Sequence, residues 1–181
     1  GSRRLHFIDT PGHARHHHCV WDESSRGWFT GDTFGLSYRE FDVAGRGAWI
    51  VPTSTPVQFD PVALRATVLR LLSFEPACIY LTHYGGDADV PRLGQLLLSL
   101  LDQMVAIGRR CAREPQRHQR LKQELAALYA SSLDEHGLKL IEDAPLDQHP
   151  AARRAKFALI VKDSGGHAAH GGVQHPRRGR H

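Results

Sequence analysis

Long apolar runs are missing from this sequence. Nothing in it approaches the roughly 18 consecutive apolar residues that mark a bilayer-spanning helix, so no membrane association is expected. Cysteine is scarce as well: Cys19, Cys78 and Cys111 are three in number and widely spaced. That argues against a disulfide framework and favours a reducing, cytoplasmic setting. There is no CxxC pair, which argues against a structural zinc knuckle. The opening Gly1-Ser2-Arg3-Arg4-Leu5 lacks the apolar centre of a secretory signal. It also lacks an initiating Met, so the chain is read as processed, tagged or incomplete. No internal repeat is present.

What remains is an ordinary globular composition. The chain has 181 residues, 41% hydrophobic and 23% charged, enough for one domain with a sizeable core. Its pI near 9.2 invites a nucleic-acid reading, but the excess charge is local. Residues 1–145 hold 16 Lys/Arg and 17 Asp/Glu, whereas 146–181 hold 7 and 2. The body is near neutral, which argues against a phosphate-binding surface.

Along the chain, Arg4 to Ile8 reads as a strand ending in the turn Asp9-Thr10-Pro11-Gly12. Cys19-Val20-Trp21 and Trp28-Phe29-Thr30 read as a hairpin across Asp22 to Gly27. The stretch from Leu36 to Pro56, irregular and rich in Gly and aromatics, predicts a long surface loop. Asp60-Pro61 is a helix start, and Val62, Leu64, Val68, Leu69, Leu71 and Leu72 form an apolar face. Ala77 to Leu81 reads as a short buried strand delivering Thr82-His83-Tyr84 at its C-terminal end, where α/β folds place ligands. Two amphipathic helices follow, through Met104 and Val105 and then from Leu121 to Leu133. The expected organisation is an α/β unit over 1–90, a helical extension over 91–145 and a disordered basic tail over 146–181. Within the tail, Phe157 to Val161 reads as one short strand, and the scattered histidines as a Gly/His/Arg-rich extension.

Three polar residues share one local frame. His13 follows a tight Pro-Gly turn after a strand; Asp32 follows a strand beside Gly31; His83 follows a strand directly. Two imidazoles and a carboxylate on loops leaving strand ends are what a metal site at the rim of a sheet needs. Any one of them alone reads as an ordinary surface or hydrogen-bonded group, and Asp32 alone as a turn cap.

Thr10-Pro11-Gly12-His13, Phe29-Thr30-Gly31-Asp32-Thr33 and Leu81-Thr82-His83 resemble consecutive motifs of the metallo-β-lactamase fold, in the form found in glyoxalase II-like hydrolases. The resemblance covers residues 4–110. It implies the C-terminal half of an αββα sandwich followed by a helical extension. By position, His13 matches the third metal-binding histidine, Asp32 the aspartate that bridges both metals, and His83 the last histidine on the second metal. His17 falls where glyoxalase-like members place a further histidine, and is read as supporting the site rather than binding metal. His16 and His18 receive no role. Tyr84 is a candidate substrate contact. The family's leading His-x-His-x-Asp-His motif is absent and would lie upstream of Gly1, so three of seven ligands and half of the sandwich are expected here. Such a half-fold would expose the sheet face meant for the missing half.

The implied chemistry is metal-assisted hydrolysis. Two ions, Zn²⁺ first with Fe or Mn as alternatives, would hold a hydroxide that attacks an ester, thioester or lactone-like bond of a small molecule. Asp32 is the catalytic candidate because it would hold both ions. Rival readings are a di-iron oxidoreductase or a nuclease on the same fold, or a non-catalytic fragment. In the last case residues 91–136 would serve as an interaction module or a homo-oligomer contact.

Overall fold

The hairpin predicted from the Cys19–Thr30 stretch forms the middle of a five-stranded sheet of order β1-β2-β3-β4-β5. In the computed structural model, residues 2–54, 57–83 and 85–138 are described. They fall within one unit, residues 1–143. The strands are β1 (Leu5–Asp9), β2 (His18–Asp22), β3 (Gly27–Gly31), β4 (Cys78–Leu81) and β5 (Gly85–Asp87). Three α-helices follow the first three strands in chain order: α1 (Pro61–Leu72), α2 (Val90–Cys111) and α3 (Arg117–Glu135). The fold is therefore α/β, as expected.

Strands β1 to β3 form an antiparallel meander. β3 and β4 then pair in parallel, joined by the crossover that contains α1, and β5 returns antiparallel to β4. The pairing places β3 and β4 with their C-terminal ends at the same edge. β5 was not expected, because Gly85-Gly86-Asp87 has no strand propensity. It forms by register against Leu81, Tyr80 and Ile79.

Alternation along the strands divides the sheet into two unlike faces. On one, Cys19, Trp21, Trp28 and Ile79 are buried with Leu64, Val68 and Leu71 of α1 and Leu93, Leu97 and Leu101 of α2 in a single core cluster. Trp28 Nε1–H donates to the Leu71 carbonyl at 3.1 Å, satisfying its one polar atom. On the other face, Phe7, Val20, Phe29 and Tyr80 align across four strands. Phe7 is 70% exposed and Phe29 46%, and the Phe29 and Tyr80 rings stack at 4.8 Å. This row is a partly exposed apolar stripe on the sheet.

α1 begins where the sequence says. The Asp60 carboxylate accepts from the Val62 and Ala63 amides at 3.0 Å each, a cap worth about 1 kcal/mol. Its buried face is narrower than the count of apolar residues implied. Leu64, Thr67, Val68 and Leu71 are buried, while Val62 and Leu69 face solvent. Helical spacing selects positions i, i+3, i+4 and i+7 and leaves the other two outside. The 22-residue α2 is long enough to cross a bilayer, yet its leucines complete the core beneath the sheet.

Over its described residues, 36–54, the segment expected to be a surface loop is largely built into the body. Phe41, Ala48, Trp49 and Ile50 are buried, and Leu36 and Val51 exchange two backbone hydrogen bonds of 2.9 Å. Its aromatics have no helical or strand period because they fill the space between sheet and helices. Trp49 meets Phe41 and Tyr129 edge-on, and its Nε1–H donates to Ser132 Oγ of α3 at 2.9 Å. Elsewhere α3 is only half-buried, with Ser132 and Leu133 its buried residues. The tail 146–181 and the strand expected at Phe157 to Val161 lie outside the described residues.

His136, just after α3, is buried and hydrogen-bonds through Nε2 to the Gly47 carbonyl at 3.1 Å. Burial pushes its imidazole below the ordinary 6.5, against the opposing pull of that carbonyl. The unfolded chain then takes up the proton first. The contribution to stability is complete above about pH 6.5 and is lost as pH falls below it. Thermal midpoints should therefore drop between about pH 7.5 and 5, and His136→Gln should flatten that drop.

Candidate metal centre

The site is assembled where β1, β3 and β4 end. After β1, the Thr10 amide donates to the His17 carbonyl at 2.9 Å and the His17 amide to the Ala14 carbonyl at 3.3 Å, closing a short loop. This loop is pinned to α1. The Asp60 amide donates to the Gly12 carbonyl and Thr67 Oγ1 to the Pro11 carbonyl, both at 2.8 Å. Gly12 (φ +133°) lies so close to the helix that a Cβ there would sit 2.3 Å from the Leu64 backbone. The Pro-Gly turn thus holds His13 at a fixed angle, with its side chain 12% exposed.

β3 ends at Gly31, whose φ of +52° turns the chain into Asp32. A Cβ at Gly31 would fall 2.6 Å from His17 Nε2, so only glycine admits that ring. β4 runs parallel to β3 and carries Thr82 to within hydrogen-bonding distance of the Gly31 carbonyl, at 3.4 Å. His83 follows at once.

The three residues singled out in the sequence are thereby brought together. His13 Nε2 lies 3.6 Å from Asp32 Oδ2, and His83 Nε2 lies 3.6 Å from Asp32 Oδ1. Both separations are too long for hydrogen bonds. They suit a cation between the partners, since two metal bonds of about 2.1 Å at a tetrahedral angle set nitrogen and oxygen roughly 3.4 Å apart. Asp32 Oδ1 is moreover buried with no hydrogen-bond partner among the described residues. An orphaned carboxylate oxygen facing an imidazole is a fitting place for a positive ion.

The fit is to part of a two-ion centre. Among the described residues no three His, Cys, Asp or Glu side chains form one metal-holding group. Each histidine instead faces a different oxygen of one carboxylate. Each of two ions would find two ligands here, short of the four of a closed zinc site.

His17 behaves differently from its neighbour. The Asp32 amide donates to its Nε2 at 3.3 Å, so Nδ1 carries the proton and donates to Thr33 Oγ1 at 2.9 Å, with Thr10 Oγ1 at 3.2 Å. Burial pushes its imidazole below the ordinary 6.5, and His13 nearby pushes the same way. A neutral ring holding the Asp32 backbone orients the carboxylate from behind. Beneath it, the buried Cys19 thiol donates to the Thr30 carbonyl at 3.4 Å, and burial pushes its pKa up. It is a packing residue, not a nucleophile.

His16 is exposed, and His18 is an exposed β2 residue against the Phe7 ring. Tyr84 lies outside the described residues. Thr53 was missed. No local signal marks it, yet its hydroxyl hydrogen-bonds His13 Nδ1 at 2.9 Å and donates to the Asp32 carbonyl at 2.6 Å.

Residues 1–83 match the family model described as the metallo-beta-lactamase superfamily. Among solved structures, an archaeal metallo-beta-lactamase superfamily protein from Sulfolobus tokodaii is 30% identical with a TM-score of 0.45; the match covers 58% of this chain and 35% of that one. A metallo-beta-lactamase family protein from Thermus thermophilus is 19% identical with a TM-score of 0.43, covering 75% of this chain and 45% of that one. The chain spans less than half the length of either. No curated protein matches. Over residues 1–83 the chain is thus similar to the metallo-beta-lactamase superfamily.

Proposed function

We propose that this chain contributes one side of a two-metal hydrolytic centre, with Zn²⁺ the first candidate, acting on an ester, thioester or lactone-like bond of a small molecule in the cytoplasm. The observation that carries the reading is the Asp32 carboxylate, each oxygen 3.6 Å from a different imidazole and one of them buried without a hydrogen-bond partner among the described residues. When bound, the ions supply Lewis acidity and bring water's pKa toward neutrality. His13 would hold one ion and His83 the other, with Asp32 shared between them. His17 and the turn at Gly31 keep Asp32 in place, and the Pro-Gly turn does the same for His13. Four-coordinate ions need ligands beyond these three. Full activity is therefore read as a property of a larger protein or assembly, and metal binding as the property testable here.

Calorimetric titration of the full chain with Zn²⁺ tests this directly. His13→Ala and His83→Ala should each weaken binding at least about 10-fold. Binding that neither substitution changes would overturn the assignment. Release of thiol from a generic thioester, with Zn²⁺ and added ligand-bearing partner sequence, would then test the reaction class.

A further inference from the structure

We propose that Thr53 is a positioning residue that selects the metal-facing tautomer of His13, an inference that rests on the two-ion reading above. The argument is a proton count. Thr53 Oγ1 lies 2.6 Å from the Asp32 carbonyl, which can only accept, so the single hydroxyl proton goes there. The same oxygen lies 2.9 Å from His13 Nδ1. With its proton committed, the hydroxyl must accept, and Nδ1 must be the protonated nitrogen. A neutral imidazole has one N–H, so the lone pair falls on Nε2, the atom 3.6 Å from Asp32 Oδ2. One hydroxyl therefore sets the ring's tautomer and ties it to the backbone of the residue whose carboxylate it faces.

The anchoring of Thr53 suits that task. Two residues earlier, Val51 is clamped to Leu36 by a pair of backbone hydrogen bonds, and Pro52 between them is buried. Threonine's branched Cβ restricts χ1, so the hydroxyl is held rather than free to swing. Nothing in the local sequence advertises this, because Thr53 is 40 residues from His13.

A purely structural role, knitting residues 52–54 to the Asp32 turn, would cost stability without moving a proton on His13. The test separates the two. In metal-free full chain with ¹⁵N-labelled histidine, long-range ¹H–¹⁵N correlation near neutral pH should show His13 protonated on Nδ1. Thr53→Val should mix the two tautomers and weaken Zn²⁺ binding about 10- to 100-fold, while Thr53→Ser should restore affinity to within about threefold of wild type. Wild-type His13 protonated on Nε2 overturns the inference whether or not any variant folds. So does a Thr53→Val protein with unchanged tautomer and unchanged affinity. The expected tautomer in a wild-type chain that binds no Zn²⁺ overturns the two-ion reading, and with it the role assigned to Thr53.

Discussion

Replacing Asp32 with alanine should remove Zn²⁺ binding from this chain while leaving the metal-free fold at least as stable as wild type. The two halves of this result have different causes. Both candidate ions would share the Asp32 carboxylate, so its loss should exceed the 10- to 100-fold cost of an outer partner and pass about 100-fold. Stability moves the other way because Oδ1 is a buried acceptor with no hydrogen-bond partner among the described residues. An unsatisfied buried polar atom costs free energy that alanine does not; with the carboxylate one-third exposed, a gain of up to about 1 kcal/mol is expected. Thermal melts of wild type and Asp32→Ala, each with a chelator and with Zn²⁺, read both quantities. If Asp32 were simply a turn cap, the chelated variant would melt well below wild type. That result, or unchanged affinity, would refute the assignment.

Among the described glycines, Gly12→Ala should be the most damaging addition of a single methyl, costing more than about 3 kcal/mol. The new Cβ would lie 2.3 Å from both Cα and N of Leu64, and helix backbone cannot rotate out of the way as a side chain can. At φ +133° the residue is also in a region that alanine rarely adopts. Relief requires lifting the Pro-Gly turn off α1, which breaks the hydrogen bonds from Asp60 and Thr67. Leu64 and its neighbours would then leave the core. Urea unfolding would measure the effect, and a loss below about 1 kcal/mol would mean the turn is not seated on the helix as described. Metal affinity should fall with stability here, unlike in Asp32→Ala.

Local frames were legible in the sequence, and distant neighbours were not. Pro11-Gly12 and Gly31 announce sharp turns from residue type alone, which is why His13 and Asp32 were found. Asp60-Pro61 announced α1 for the same reason, a cap and a fixed φ acting within one turn. Thr53 was invisible because its importance comes from two partners 40 and 21 residues away. Phe41, Trp49 and Ile50 read as loop residues because no period organises them; Trp49 is covered by α3, which arrives much later in the chain, and Ile50 joins the core beneath the sheet. β5 is a strand by virtue of its neighbour alone. The exposed Val62 and Leu69 show the opposite error, in which apolar character was mistaken for burial.

The parallel join between β3 and β4 has a consequence for the order in which the site comes into being. His13, His17 and Asp32 belong to the β1–β3 meander, whose pairings close over short stretches of chain. His83 arrives only when β4 finds β3 across a separation of about 50 residues, as in the hydrogen bond from Thr30 Oγ1 to the Tyr80 carbonyl. Closing that longer loop costs entropy before any contact rewards it, and such pairings are the slow ones. A nascent chain therefore presents half of a cation site well before the other half. An ion held by His83 and Asp32 would thus lock the finished crossover rather than seed folding.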